Sequence, residues 1–197
     1  TLHGVALTKP LLMSACVGVY VGMWASEYAS VLASSPAGQS VYAATAVQCS
    51  VVAGRVSFVL GMQGPCMSVD TACSSGLVSS HAGLRALQYG ECETALVAGV
   101  NMMFSAEASL GTALAGMTSP TGRSHTFDQR ADGYARGEAV CTALLTAVEE
   151  GRGSWQLLGS AVRQDGRSAS LTAPSGRAQQ GLLSAALADA CTEPSAL

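Results

Sequence analysis

The stretch "GPCMSVDTACSSGL", Gly64 to Leu77, holds the residues best suited to covalent chemistry: two cysteines seven positions apart. Cys66 follows a Gly-Pro turn and enters an extended run. No cation or helix start lies beside it, so it reads as a small buried hydrophobe. Cys73 stands where the extended "CMSVDTA" gives way to the helical "CSSGLVSSHAGLRALQYGE". A thiol there lies over the free N–H groups of a first helical turn, a field that stabilises a thiolate. Ser74, Ser75 and Gly76 are small. They leave room for a substrate and for backbone N–H groups to face an oxyanion. Strand, nucleophile, helix is also the order of the hydrolase nucleophile elbow. On these residues alone, Cys73 is either a reactive thiol or a buried cysteine capping a tightly packed helix.

Other chemistries find little support. Seven scattered cysteines form no CxxC pair, and the only histidines are His3, His81 and His125. A zinc site needs closely spaced Cys and His ligands, so no metal is expected. A disulfide framework does not suit a chain this long and apolar, which points to reduced thiols in a cytoplasmic setting. Net charge is −3 with no basic run, against nucleic-acid binding. Charged residues make up 12% and hydrophobic residues 49%, so much of the surface is expected to be buried in a core or against a partner. "LLMSACVGVYVGMWA", uncharged between Lys9 and Glu27, has the look of a signal-peptide core. Its small residues and the alternation in "VGVYVG" fit a buried strand better. No stretch is a convincing membrane span.

The elements that must position Cys73 follow from periodicity. Val17–Met23, Thr94–Met102, Gly137–Val148 and "SWQLLGSAVRQDG" (residues 154–166) read as strands. Ser26–Ser35 reads as a helix capped by Ser26, and Ala46–Leu60 as a helix whose internal glycine suggests close packing. After Cys73, Leu77, His81, Leu84 and Leu87 recur on one helical face, and Gly90 ends that helix. Ser175–Cys191 is a helix capped by Ser175, and Thr118–Gly133 a polar loop. Asp128, Arg130, Asp132, Arg136 and Glu138 follow each other closely. Glu138 is a possible general acid or base, but pinning of the loop by Arg–carboxylate pairs and Asx turns is the better reading. Alternating strands and helices predict a layered α/β sheet with no obvious boundary.

The same fourteen residues closely resemble the active-site segment of β-ketoacyl synthases, the condensing enzymes of polyketide and fatty-acid synthesis. From "SPAGQSVYAATAVQCSVVAGRVSFVL" through "TFDQRADGYARGEAV" and on to "GSAVRQDGRSASLTAPSGRAQQ", the chain looks like a modular polyketide-synthase ketosynthase. The match is collinear from Val17 to about Ala190. It implies a thiolase-like layered α/β/α fold, a mixed sheet with packed helices repeated twice. This chain would hold most of the first repeat and the start of the second. It implies that Cys73 takes an acyl group as a thioester, with its own backbone N–H as one oxyanion donor. A carbanion from a decarboxylated malonyl-type extender then attacks that acyl group. No cofactor is expected on the chain, because substrates ride on the phosphopantetheine of an acyl carrier protein. Expected partners are that carrier, further synthase domains such as an acyltransferase, and a second copy in a homodimer.

In this family the region of Met102, Met103 and Phe104, and then Leu110, Thr112 and Leu114, lies near the acyl pocket and dimer interface. Those six are candidate substrate-binding residues, with plain core as the other reading. The family's two catalytic histidines stand in "GTGT…GDP" and "N…GH" segments, and a second oxyanion donor in "GFGG". None of these occurs in this sequence. Residues 1–197 are therefore expected to be a partial ketosynthase domain, its nucleophile-bearing middle portion. His81 is about 12 Å of helical rise from Cys73 and is expected to pack rather than react. His125 stands where the family usually has Lys, and His3 precedes the matched region. Ala139, Cys141, Thr146 and Arg163 depart from the family pattern and mark a divergent member. Two rival readings remain: an acyl-carrier-binding homologue unable to decarboxylate, and a cysteine acyl hydrolase. The hydrolase needs a base near the sulfur, and no local histidine fits.

Overall fold

The structure, a computed structural model, describes residues 8–24, 27–147 and 155–196. Two compact units divide after Thr146, where the sequence shows no boundary.

The first unit is built on a four-stranded sheet of β1 (Val17–Met23), β2 (Cys66–Val69), β3 (Thr94–Asn101) and β4 (Ala139–Thr146), in the order β2-β1-β3-β4. β1 pairs in parallel with both β2 and β3, while β4 runs antiparallel to β3. Helix α1 (Lys9–Leu12) precedes β1, and α2 (Tyr28–Ala33) and α3 (Ala43–Ala46) follow it. Two longer helices, α4 (Cys49–Leu60) and α5 (Ser75–Gln88), cover the sheet, and α6 (Ala106–Leu114) follows β3.

Alternation along β1 assigns its two faces. Val17, Val19 and Val21 join Leu12, Ala53, Met62 and Leu96 in one core beneath α4. Tyr20 faces the other way and packs with Ala86, Cys92, Ala95 and Val97 beneath α5. This central strand is the segment whose apolar run resembled a signal-peptide core.

The structure corrects several expectations. Helix α5 buries Ser75, Ser79, Gly83 and Ala86 against the sheet, and of the leucine face Leu87 packs partly against that core. Leu77 is 78% exposed. Small residues win because the helix sits very close. A Cβ on Gly83 would stand 2.7 Å from Val97, and the Ser79 hydroxyl reaches the carbonyls of Gly76 and Ala98. The helix expected over 46–60 is split, with Gln48 extended ahead of α4. A Cβ on Gly54 within it would meet only Cys66 Sγ at 4.0 Å, so that glycine marks no tight contact. Cys66 is exposed rather than buried, because β2 is an edge strand. Gly90 does end α5, in the left-handed region at φ +71°. The Ser26 cap and His3 lie outside the described residues.

The second unit contains α7 (Gly176–Asp189), capped as expected by Ser175, whose hydroxyl accepts from the Ala178 N–H at 3.3 Å. Residues 155–166 form no strand. Their apolar run has no sheet neighbour among the described residues. The segment is tied to α7 instead: Asp189 at its end accepts from the Ser160 N–H, and Asp165 accepts from the N–H of its cap, Ser175.

Candidate active site

The parallel strands β1, β2 and β3 end together, with Gly22 opposite Val69 and Met23 opposite Val100. Open α/β sheets place their chemistry beyond such an edge. Here the chain leaving β2 makes one tight turn, the 3-10 segment Ala72–Ser74, and enters α5. Cys73 is the middle residue of that turn and is exposed.

The turn is strained and heavily tied. Ala72 takes φ +54°, a left-handed conformation that non-glycine residues rarely adopt. Its N–H donates to Asp70 Oδ1 at 3.0 Å, and its carbonyl accepts from the Ser75 hydroxyl at 2.7 Å. Ser75 Oγ also accepts from the Thr71 N–H at 2.8 Å, and Ser74 Oγ donates to the Thr71 carbonyl at 2.8 Å. Ser75 itself is buried. The two serines after Cys73 therefore hold the turn. Gly22 lets it approach the sheet: a Cβ there would lie 2.3 Å from the Ser75 carbonyl group.

Met102, Met103 and Phe104 leave β3 at the same edge. Three consecutive backbone N–H groups in this stretch donate to carboxylates. The Met103 N–H donates to Glu138 Oε1 at 2.7 Å, and the Phe104 and Ser105 N–H groups both donate to Glu27 Oε2 at 2.8 Å. Glu27 Oε1 is paired with Arg136 Nη2 at 2.9 Å, the two side chains only 8% and 12% exposed. Burial pushes the Glu27 carboxyl up. The Ser105 N–H, the Arg136 guanidinium and the Phe104 N–H outweigh it and hold the group below its ordinary value. Arg136 also points Nε at Met103 Sδ, 3.3 Å away, and Nη1 at the Ala108 carbonyl. The Phe104 ring meets Tyr28 edge-on at 5.9 Å.

The structure thus brings Met102–Phe104 to the edge that carries Cys73. Leu110, Thr112 and Leu114 sit further along, on α6. Leu110 and Leu114 are exposed, and the Thr112 hydroxyl donates within its own helix to Ala108 and Ser109. Glu138, for which acid–base chemistry was the other reading, accepts from the Met103 N–H, and Asp128 is paired with Arg130 at 2.7 Å, as a pinned loop requires. His81 lies within α5, and His125 sits in the loop at φ +46°. Glu27 sits in no motif that marks it for this site; its one sequence signal is being the first charge after a long uncharged run.

A family model described as "Beta-ketoacyl synthase, N-terminal domain" matches residues 4–151. The chain belongs to this family. Among its relatives, a phenolphthiocerol/phthiocerol polyketide synthase of Mycobacterium tuberculosis is 42% identical over 176 residues, covering 86% of this chain and 8% of that protein. A highly reducing polyketide synthase from Aspergillus calidoustus is 37% identical, covering 98% of this chain and 8% of its own length. Two solved ketosynthases share the fold. An oxazolomycin ketosynthase domain from Streptomyces albus has a TM-score of 0.83 at 32% identity, covering 95% of this chain and 34% of that one. The ketosynthase from module 6 of the Bacillus subtilis bacillaene synthase has a TM-score of 0.81 at 30% identity, covering 95% and 32%. The ketosynthase chain described here therefore spans about a third of those solved domains. Its fold is thiolase-like, a mixed sheet with helices on both faces. Among the described residues, no helix is long and apolar enough to cross a membrane.

Proposed function

We infer that this chain supplies the acyl-accepting thiol of a polyketide-type ketosynthase, and that Cys73 is that thiol. The observation that supports this most is an exposed cysteine, in a strained turn between a parallel strand and a helix, inside a chain of this family. The thiolate attacks the carbonyl carbon of an acyl thioester carried on phosphopantetheine. The tetrahedral oxyanion is met by backbone N–H groups of the turn, that of Cys73 first. The intermediate collapses by expelling the carrier thiolate, which takes up a proton, and the acyl group stays on Sγ. Thiolates suit both halves of this exchange, as nucleophile and as leaving group.

Met102, Met103 and Phe104 are the residues against which the acyl chain rests. Leu110, Thr112 and Leu114 are weaker candidates for the same role. Condensation then needs the carbanion of a decarboxylated malonyl-type extender. The histidine segments that serve this step in the family are not in these residues, so 1–197 act as the acyl-holding portion of the reaction. The partners are an acyl carrier protein, neighbouring synthase domains such as an acyltransferase, and a second copy. No cofactor is bound by the chain itself.

The test is intact-mass labelling of the full-length protein with an acyl thioester, beside Cys73→Ala. One acyl mass is expected on the parent and none on the variant. Equal labelling of both would remove Cys73 from the mechanism. A malonyl-carrier decarboxylation assay separates a condensing enzyme from a homologue that only binds its carrier.

A further inference from the structure

We propose that Glu27 and Arg136 are positioning residues that fix the Met102–Ser105 segment and thereby set which acyl chains Cys73 accepts. The selectivity half of this rests on Cys73 being the acylated thiol; the positioning half does not.

Three observations meet here. Ion pairs this buried are uncommon, because both charges lose water and only good geometry offsets that loss. This pair has that geometry, with the guanidinium on one Glu27 oxygen and two backbone N–H groups on the other. Its members come from distant parts of the chain, one between β1 and α2 and the other just before β4. What they grip is one short segment: two backbone N–H groups, the Met103 sulfur and the Ala108 carbonyl of α6. Glu138 takes the remaining N–H, that of Met103. A loop needing only to connect β3 to α6 has no use for three consecutive N–H groups held by two carboxylates. A loop whose side chains must stand at fixed places beside a reacting thiol does.

The grip also explains how selectivity is set without direct contact. Removing one partner leaves the other charge buried and unpaired, and the segment must move to rehydrate it. Met102 and Phe104 move with it. A short acyl group that barely leaves Sγ is little affected, while a long one that runs along the segment is.

The experiment uses the full-length protein, with Glu27→Gln and with Arg136→Lys, which keeps the charge and loses the fork. Asp128→Asn, which breaks an exposed pair away from this segment, is the control. Two readouts are taken. Hydrogen exchange of the Phe104 and Ser105 amides is expected to quicken about tenfold or more in both variants and not in the control. The ratio of octanoyl to acetyl transfer from pantetheine thioesters to Cys73 is expected to change by about threefold or more. If Glu27→Gln fails to fold, Arg136→Lys carries both readouts. Unchanged amide exchange overturns the positioning role. Quickened exchange with both transfer rates reduced by one common factor overturns the selectivity role and leaves a structural pair. No acyl mass on Cys73 in the parent sinks the functional reading, and selectivity with it, while amide exchange still decides the positioning role.

Discussion

Tyr20 is only 2% exposed, yet its hydroxyl has no hydrogen-bond partner among the described residues. An unpaired buried hydroxyl costs about 1–3 kcal/mol. Tyr20→Phe should therefore be neutral or stabilising by about 1 kcal/mol in a denaturant melt. Burial, then the nearby Cys92 and Glu91, pushes this phenol up to about 12 from 10.0. A folded value above the unfolded one gives stability that is present below pH 10 and lost as pH rises through about 12. The parent should lose stability over that window, and the phenylalanine variant should lack that loss. At the acid end Glu27 behaves in the opposite sense. Its folded value lies below the ordinary 4.5. Its contribution is thus complete above that pH and fades as pH falls through the depressed value. Melting temperature followed downward from pH 6 should drop less steeply in Glu27→Gln than in the parent.

At the scale of elements, the place of Cys73 depends on how closely α5 can lie on the sheet. Gly22→Ala puts a methyl group 2.3 Å from the Ser75 backbone, where no side chain can yield. The expected cost is about 3 kcal/mol, together with slower acylation of Cys73 as the turn lifts. A variant that melts and labels like the parent would show that the turn does not need this contact. The same helix shows what periodicity can and cannot reveal. Its extent, its glycine stop and its place after Cys73 were all legible. Its buried face was not, because the contact is made by Ser75, Ser79 and Gly83, which carry no hydrophobic signal. Residues 155–166 failed for the converse reason. Their apolar run suits a buried strand, but a strand needs a neighbour, and local sequence does not report one. The place of Cys73 between strand and helix was legible because its signal is local. The Glu27–Arg136 grip was not, since it joins residues 109 positions apart.

Taken as a whole, the molecule leaves much apolar surface open. In the first unit Val41, Phe58, Leu114 and Phe127 are all well exposed, Phe58 at 87%, and in the second so are Trp155 and Leu171. Single exposed hydrophobes are ordinary, but this many large ones call for partner surface. The 197-residue chain produced alone is expected to aggregate, and to become soluble when the rest of a ketosynthase is supplied. A sharp cooperative melt of the isolated, soluble chain would refute this.

Strand β1 lies between β2 and β3, and both of its partners come later in the chain. Val17 cannot find its place beside Thr94 until that residue has been made. At ordinary rates of protein synthesis the wait is on the order of several seconds. Until β2 is made, a run of valines and a tyrosine has no strand at all to join, and until β3 is made one of its edges stays open. Parallel pairings of this kind are slow to close and prone to wrong association meanwhile. The strand buried most deeply at the end is the one that spends longest uncovered at the ribosome.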